Sequence, residues 1–397
     1  MRAVTAACII LPHVSYVFLT GGLVPTYYAA LGTVVVGIGY SFLREQMRVS
    51  WQAAACFFLL AVVPLVWFLL QGLWLSDVQV VIRGINYSLF VISGMYLARI
   101  ARPEQVFSIL RWFVVFNLAG IAVWLLWGRL VPLNMFDRSD YGYVLELFGV
   151  LQRVAADDYT LRFAGFTHNA NTLALWGALG FCGLAAVKVT GRQYLLWTIV
   201  ALVVLGLTQS RIGLLTAAVF YLLFTVLNRQ VSGVRRVLTA GGLLSVILVA
   251  LTLVYFVRGP VQGDWSSGRL DDVQILTAII ARHDEQLYFG VGLGNIVTVV
   301  ANNYATKRSV DGSYLVSLVE NGVVGTSIIY GTFLVATIGS LAVSYRTSYE
   351  RFRFSVSLLG ALLIFGIFET GICRNSFVHT LWVALTFYGL SREEELI

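Results

Sequence analysis

A few short segments of this 397-residue chain bring together residue types that can do chemistry. In the first, Arg162 is followed by Gly165-Phe166 and then His168-Asn169-Ala170-Asn171, and the chain runs directly into an apolar stretch at Thr172. The asparagines can cap a helix there, and the amides of a helix N-terminus favour an anion. Arg162 and His168 are close enough in sequence to serve that anion, although an ordinary N-cap beside a solvated histidine is the plainer use of the same residues. The second segment, Thr208 to Gly213, is a very short turn between two apolar stretches. Arg211 within it is costly unless it faces water, headgroups or an anionic partner. The third, Ser266 to Asp271, carries Arg269. The fourth, Tyr288 to Asn295, holds Gly290, Gly292 and Gly294; no strand precedes them, so a turn in a re-entrant or surface loop fits better than a nucleotide loop. The fifth runs from Asp311 through Tyr314 to Glu320-Asn321-Gly322 and Gly325. Asp311 stands where a helix begins and can act as its N-cap. A carboxylate at such an apolar boundary can also accept a proton from a sugar hydroxyl. Glu320, nine residues on, lies about two and a half turns deeper if the helix is continuous, and burial there calls for a pairing partner.

Other chemistries find little in the sequence. His13, His168, His283 and His379 are far apart, and the Asp157-Asp158 and Asp271-Asp272 doublets are weak cation contacts at most. No metal and no cofactor is therefore expected. A Gly-x-Ser-x-Gly elbow is absent, which argues against a serine hydrolase. Cys8, Cys56, Cys182 and Cys373 are scattered through apolar stretches without CxxC spacing and read as small core hydrophobes.

The elements that must position these residues are membrane spans. Hydrophobic residues make up 58% of the chain and charged residues only 12%, against about 25% in a soluble domain. Mean hydropathy is +0.82. The expected fold class is thus all-α, a polytopic integral membrane protein with about twelve transmembrane helices. The apolar runs fall at 4–19, 23–43, 51–71, 78–98, 106–128, 169–189, 193–209, 212–227, 237–257, 314–343, 354–369 and 375–390. Residues 1–130 form an N-terminal set of spans, 169–257 a central set and 314–397 a C-terminal set. Two long connections, 131–168 and 258–313, separate them. No internal repeat is visible, and no cleavable signal peptide is expected, because 4–19 runs on into another span without a cleavage site.

A pI near 9.3 and a net charge of +7 do not point to nucleic acid, since no polar domain is available to carry a basic face. They follow from topology. With the N-terminus inside, more than half of the 27 basic residues crowd into short cytoplasmic turns, such as 229–236 and 346–353. The positive-inside rule favours that orientation, with both termini cytoplasmic and both long loops outside. Most of the basic residues left on the outer side are arginines, among them Arg83, Arg162, Arg211, Arg269 and Arg374. Arginine's planar fork binds phosphate or carboxylate bidentately, which suits a set of arginines at one membrane face to a pyrophosphate. Snorkelling towards lipid headgroups is the simpler use of any single one. Arg83 and Arg374, near the outward ends of their own spans, are the weaker members.

In order and spacing these segments resemble the membrane-embedded O-antigen polymerase and O-antigen ligase superfamily, of the Wzy and WaaL types. The resemblance rests on Arg162 with Gly165-Phe166 and Asn169-Ala170-Asn171, Ser210-Arg211-Ile212-Gly213, Ser267-Gly268-Arg269, Gly290 to Gly294, and Asp311 with Tyr314-Leu315 and Glu320-Asn321-Gly322. It covers about residues 160–345. It implies a metal-independent glycosyltransferase with its active site at the periplasmic face of the bacterial inner membrane. The substrate would be an undecaprenyl-pyrophosphate-linked oligosaccharide, and by family analogy a chain-length regulator would be a partner. Arg162, Arg211 and Arg269 would hold the pyrophosphate. Asp311, with His168 and Glu320, would form the catalytic set, and Asn169, Asn171, Tyr314, Arg83 and Arg374 would contact substrate. Ligases of the family usually carry a histidine followed by Asn-x-Tyr-Leu where this chain has Asp311-Gly312-Ser313-Tyr314-Leu315. That departure favours a repeat-unit polymerase over a ligase acting on lipid A core, although His168 can stand in as base. A glycolipid transporter is the third reading; missing repeats and the lack of Gly- or Pro-interrupted span pairs at mid-membrane weigh against it.

Overall fold

The computed structural model describes residues 50–127, 151–153, 161–163, 170–187, 191–208, 210–229, 233, 274–279, 284–304, 312–369, 372–373 and 376–390. The described chain is predominantly helical. Its longer helices are α1 (Trp51–Leu75), α2 (Val78–Ile100), α3 (Pro103–Trp127), α4 (Ala170–Val187), α5 (Gly191–Thr208) and α6 (Arg211–Val226). After a short helix at 274–279 come α7 (Asp284–Phe289), α8 (Ile296–Tyr304), α9 (Ser313–Thr347), α10 (Tyr349–Phe368) and α11 (Phe377–Leu390). These coincide within a few residues with the spans expected from 51–71 through 106–128, 169–189 through 212–227, and 314–343 through 375–390. The expected spans at 4–19, 23–43 and 237–257 lie outside the described residues.

Among the described residues, five helices are long and apolar enough to cross a membrane: α1, α2, α5, α9 and α10. Large apolar side chains such as Leu334, Val335 and Ile338 on α9 are exposed. In water such a face would be a liability; against lipid it costs nothing. One feature departs from an all-helical reading: Leu151–Arg153 (β1) and Leu161–Phe163 (β2) form an antiparallel ribbon, with Gln152 opposite Arg162. In a connection without an apolar run, pairing two short segments satisfies backbone groups that no helix ladder serves.

Local chemistry explains the helix ends. Ser50 caps α1, its Oγ accepting from Ala53 N at 3.2 Å. Pro64 has no amide to donate to the turn before it, and the chain passes through a π turn at Phe58–Val62 just ahead of it. α1 closes with Ser76 in the left-handed region and Asp77 N donating back to Gly72 O at 2.9 Å. Asp77 then caps α2, its Oδ1 accepting from Gln79 N at 2.8 Å.

The chain divides into two compact units. The first contains α3 to α6 and the ribbon. In it α4 packs against α3, α5 and α6, and its core gathers Ala174, Ala178, Leu205 and Ala217 with Phe181 and Leu214. Small residues on α4 let neighbouring backbones approach closely, as in membrane helix packing generally. The second contains α1, α2, α7, α8, α9, α11 and most of α10. Its core at one end joins Leu276, Ile279, Val291, Ile296, Val300, Val316 and Val319. Further along, α9 and α11 are stitched by Ser340 Oγ donating to Thr386 O (2.6 Å) and Trp382 Nε1 donating to Thr337 Oγ1 (3.0 Å).

Candidate functional site

In the second unit, the glycine-rich segment and the Glu320-Asn321-Gly322 segment are locked together. α9 would be about 52 Å long if straight, well beyond the ~30 Å hydrocarbon core, but it is not straight. Gly322 sits at φ 66°, ψ −178° and breaks it. A break of this kind frees carbonyls of the turn before it. Here Val319 O accepts from Val291 N (2.9 Å) and Glu320 O from Gly292 N (2.8 Å). Gln71 of α1 adds its side-chain amide, donating to Phe289 O (2.6 Å) and Glu320 O (2.7 Å). A Cβ on Gly290 would overlap Glu320 O, and one on Gly322 would overlap Tyr288 O, so glycine at both positions is what allows the two backbones to meet. Up to that break α9 runs without interruption from Ser313, so Glu320 lies about two turns into it. Glu320 stands in the last turn before the break, with 0% of its surface exposed.

The glycine segment is neither free nor superficial. Gly290 to Leu293 are buried. Arg83 Nη1 donates to Leu293 O and to Asn295 Oδ1, both at 2.6 Å. Asn295 Nδ2 donates in turn to Asp77 Oδ2 at 2.8 Å. An Arg83–Asn295–Asp77 chain thus ties the loop to the α1–α2 turn. The Asn295 amide, helped by the Gln79 and Val80 backbone and the Arg83 charge, holds the Asp77 carboxyl below its ordinary value. Trp67 and Trp74 of α1 close the side, their rings 6.2 and 5.0 Å from that of Phe289. Gln71 Oε1, Asn321 Oδ1 and Trp67 Nε1 are buried here without a hydrogen-bond partner among the described residues.

The start of α9 is held as firmly. Ser313 Oγ donates to Glu369 O (2.7 Å) and accepts from Ile372 N (3.1 Å), which clamps it to the α10–α11 connection. Tyr314 OH donates to Leu363 O at 2.9 Å, and its ring lies 5.4 Å from that of Tyr330. Tyr314 thus spends its hydroxyl on α10. In the first unit, Ser210 caps α6 by accepting from Gly213 N (3.4 Å) and donates its own hydrogen to Asn171 Oδ1 (2.9 Å). The start of α4 and the Ser210–Gly213 turn are joined by this bond, so Asn171 and the half-buried Arg211 share one end of that unit.

Of the residues singled out in the sequence, Asn171 and Arg211 come together in the first unit. Arg83, the glycine segment and Glu320 come together in the second, at the same end of the helices as Tyr314. Arg162 is placed by its backbone in β2, opposite Gln152. His168, Asn169, Arg269, Asp311 and Arg374 lie outside the described residues. Gln71, Asp77 and Asn295 were missed. Asp77 had a readable signal, an acid directly before an apolar run. Gln71 had only its polarity at the end of one. No protein-family model and no curated protein matches this chain.

Proposed function

We propose that this protein is a membrane-embedded, metal-independent glycosyltransferase that polymerises polysaccharide repeat units. It would transfer a glycan from undecaprenyl pyrophosphate to the non-reducing end of an incoming lipid-linked repeat. The observation that carries the reading is the docking of the Gly290–Asn295 segment on the break at Gly322. Two stretches that the resemblance pairs by order alone are bonded backbone to backbone, and Arg83 fastens one of them. The Ser210–Asn171 bond joins another such pair. A rigid platform of this kind suits electrostatic catalysis, in which donors are fixed before charge develops.

In this reading the chain crosses the bacterial inner membrane about twelve times, with both termini cytoplasmic and the loops 131–168 and 258–313 in the periplasm. The Asp311 carboxylate takes the proton of the acceptor hydroxyl as that oxygen attacks the anomeric carbon of the donor. The bond from that carbon to the pyrophosphate oxygen breaks, and the configuration inverts. Arg162, Arg211 and Arg269 stabilise the negative charge left on the pyrophosphate. Glu320, next to the break, is placed by the reading in support of the catalytic end of α9, and no cofactor takes part. Asn169, Asn171, Tyr314, Arg83 and Arg374 position the substrate or the segments around it, and a chain-length regulator is the expected partner.

One observation favours transport as a second reading: α9 is a broken helix, a feature of many carriers. The freed carbonyls, however, are consumed by Val291, Gly292 and Gln71 rather than left to line a path. The deciding experiment deletes the gene in its host and compares complementation by the wild type, Asp311→Asn, Arg211→Ala and Arg269→Ala. The proposal expects lipid-linked single repeats to accumulate, with polymer restored only by the wild type while all variants reach the membrane. Long chains built but stranded on the lipid carrier would make the protein a ligase. Normal polymer in the arginine variants would remove the pyrophosphate role.

A further inference from the structure

A buried cation in the first unit faces the middle of α4, beside Gly180. Arg111 of α3 is only 8% exposed. Its Nε and Nη1 are enclosed with no hydrogen-bond partner among the described residues. Glu104 is seven residues away on the same helix, roughly 10 Å along the axis and out of ion-pair range. The guanidinium carbon lies 5.5 Å from the centroid of the Trp197 ring. Stacking on an indole occupies the face of a guanidinium and leaves its in-plane N–H groups to find acceptors elsewhere. An arginine so placed inside an apolar bundle is expensive, and such residues mark functional positions.

Arg111 also lines a small cleft, open on one side, with room of about 10 Å³ for a group the size of a single water or phosphate oxygen. Its other walls include Gly177, Gly180, Phe181, Trp197 and Val200. Gly180 makes room for the arginine, since a Cβ there would stand 3.1 Å from Arg111 Cγ. Along the outside of α5, Leu195, Leu196 and Ile199 are exposed, and Arg192 is exposed near the start of that helix. Arg111 lies about 12 Å from the start of α3 and Trp197 about 9 Å from the start of α5, which sets both about a third of the way along their helices. A fixed cation, an aromatic wall, a floor thinned by glycines and an adjoining apolar face suit a ligand with one compact anion attached to long apolar chains.

We propose that this cleft binds the phosphate of a net-anionic membrane lipid, Arg111 donating to the phosphate oxygens while the lipid tails lie along α5. The inference is independent of the polymerase reading, because none of the residues given a role there takes part. It gives the first unit a lipid site apart from the end shared by Asn171 and Arg211.

The test uses the full chain in lipid nanodiscs made from equal amounts of phosphatidylglycerol and phosphatidylcholine. It is then released into the gas phase for native mass spectrometry, which counts retained lipids. Wild type should retain phosphatidylglycerol in preference by about tenfold or more. Arg111→Gln should erase that preference, Arg111→Lys should restore part of it, and Arg192→Gln should leave it intact. In lipid-free detergent Arg111→Gln should unfold at the same temperature as wild type or higher, having lost a buried charge; added phosphatidylglycerol should reverse that order. Should Arg111→Gln fail to fold, Val200→Phe, which fills the cleft and keeps the charge, must weaken retention instead. Equal retention of both lipids by wild type would overturn the proposal, as would an unchanged preference in Arg111→Gln. Protection by inorganic phosphate as strong as that by phosphatidylglycerol would assign the site to a soluble anion and overturn its lipid source.

Discussion

Gly322→Ala tests whether the break in α9 is held by the loop it meets or is a weak point in a long helix. At φ 66°, ψ −178° Gly322 occupies a region essentially closed to residues with a Cβ, which costs about 1–3 kcal/mol. The added methyl would also overlap Tyr288 O and come within 2.5 Å of Phe289 N. Those are backbone atoms, and Gln71 pins the adjoining Phe289 carbonyl, so they cannot yield as the end of a flexible side chain would. Forcing them apart adds another ~1–3 kcal/mol. The expected loss is therefore about 2–6 kcal/mol. Gly331→Ala, nine residues on in the same helix, is the control: a Cβ there meets nothing within 4 Å. In a helix interior that change should stabilise by roughly 0.5–1 kcal/mol. Reversible unfolding by sodium dodecyl sulfate in mixed micelles measures both. If the two variants shift stability equally, or if Gly322→Ala is neutral, the docking of the glycine segment on α9 is not what holds this end of the unit together.

Gln71→Leu removes two donors from the carbonyls beside the break while keeping the volume, and should cost about 1–2 kcal/mol in the same assay; a loss above that of Gly322→Ala would mean Gln71 carries more than those two bonds. Asp77 has a carboxyl pKa lowered below 3.8, so its stabilising contact with Asn295 is present above the ordinary carboxylate range and disappears as pH falls through the lowered folded value. Hydrogen exchange at residues 290–296 should accordingly rise as the pH drops through and below 3.8 in wild type and lose that dependence in Asp77→Asn; an equal rise in both would clear Asp77. Ser210→Ala removes the α6 cap and the bond to Asn171, with an expected loss of about 1 kcal/mol, while Ser210→Thr, which keeps the hydroxyl, should recover most of it.

The helices were legible because a span must be apolar along its whole length, and length and hydropathy are properties of a single stretch. That is why α2, α4, α5 and α6 begin and end within a few residues of the apolar runs. The caps themselves came from the structure: Ser50 and Ser210 stand directly before the helices they cap. The β1–β2 ribbon was not legible, since three residues a side leave no periodicity to read. The break in α9 was not legible either. Asn321-Gly322 lies in an otherwise apolar run, and many glycines in such runs stay helical, as Gly331 and Gly339 do. What distinguishes Gly322 is the Tyr288 carbonyl pressed against it, a contact made by a segment more than thirty residues earlier.

The candidate site divides along the same line. Residue type and order single out the arginines, the glycine run and Glu320, because charge inside an apolar chain is expensive enough to stand out in one dimension. The tertiary structure alone decides what each polar group does once the chain has folded. Arg83 turns to Leu293 O and Asn295, Tyr314 turns to α10, and Gln71, unremarked in sequence, joins α1 to both sides of the break. The same holds for Arg111, which reads as one more basic residue near a span end. Only the packing of α3, α4 and α5 buries its guanidinium beside a cleft. The reason is physical: hydropathy is a sum over residues, whereas a hydrogen bond in a low-dielectric interior depends on which donor and acceptor the packing brings within 3 Å.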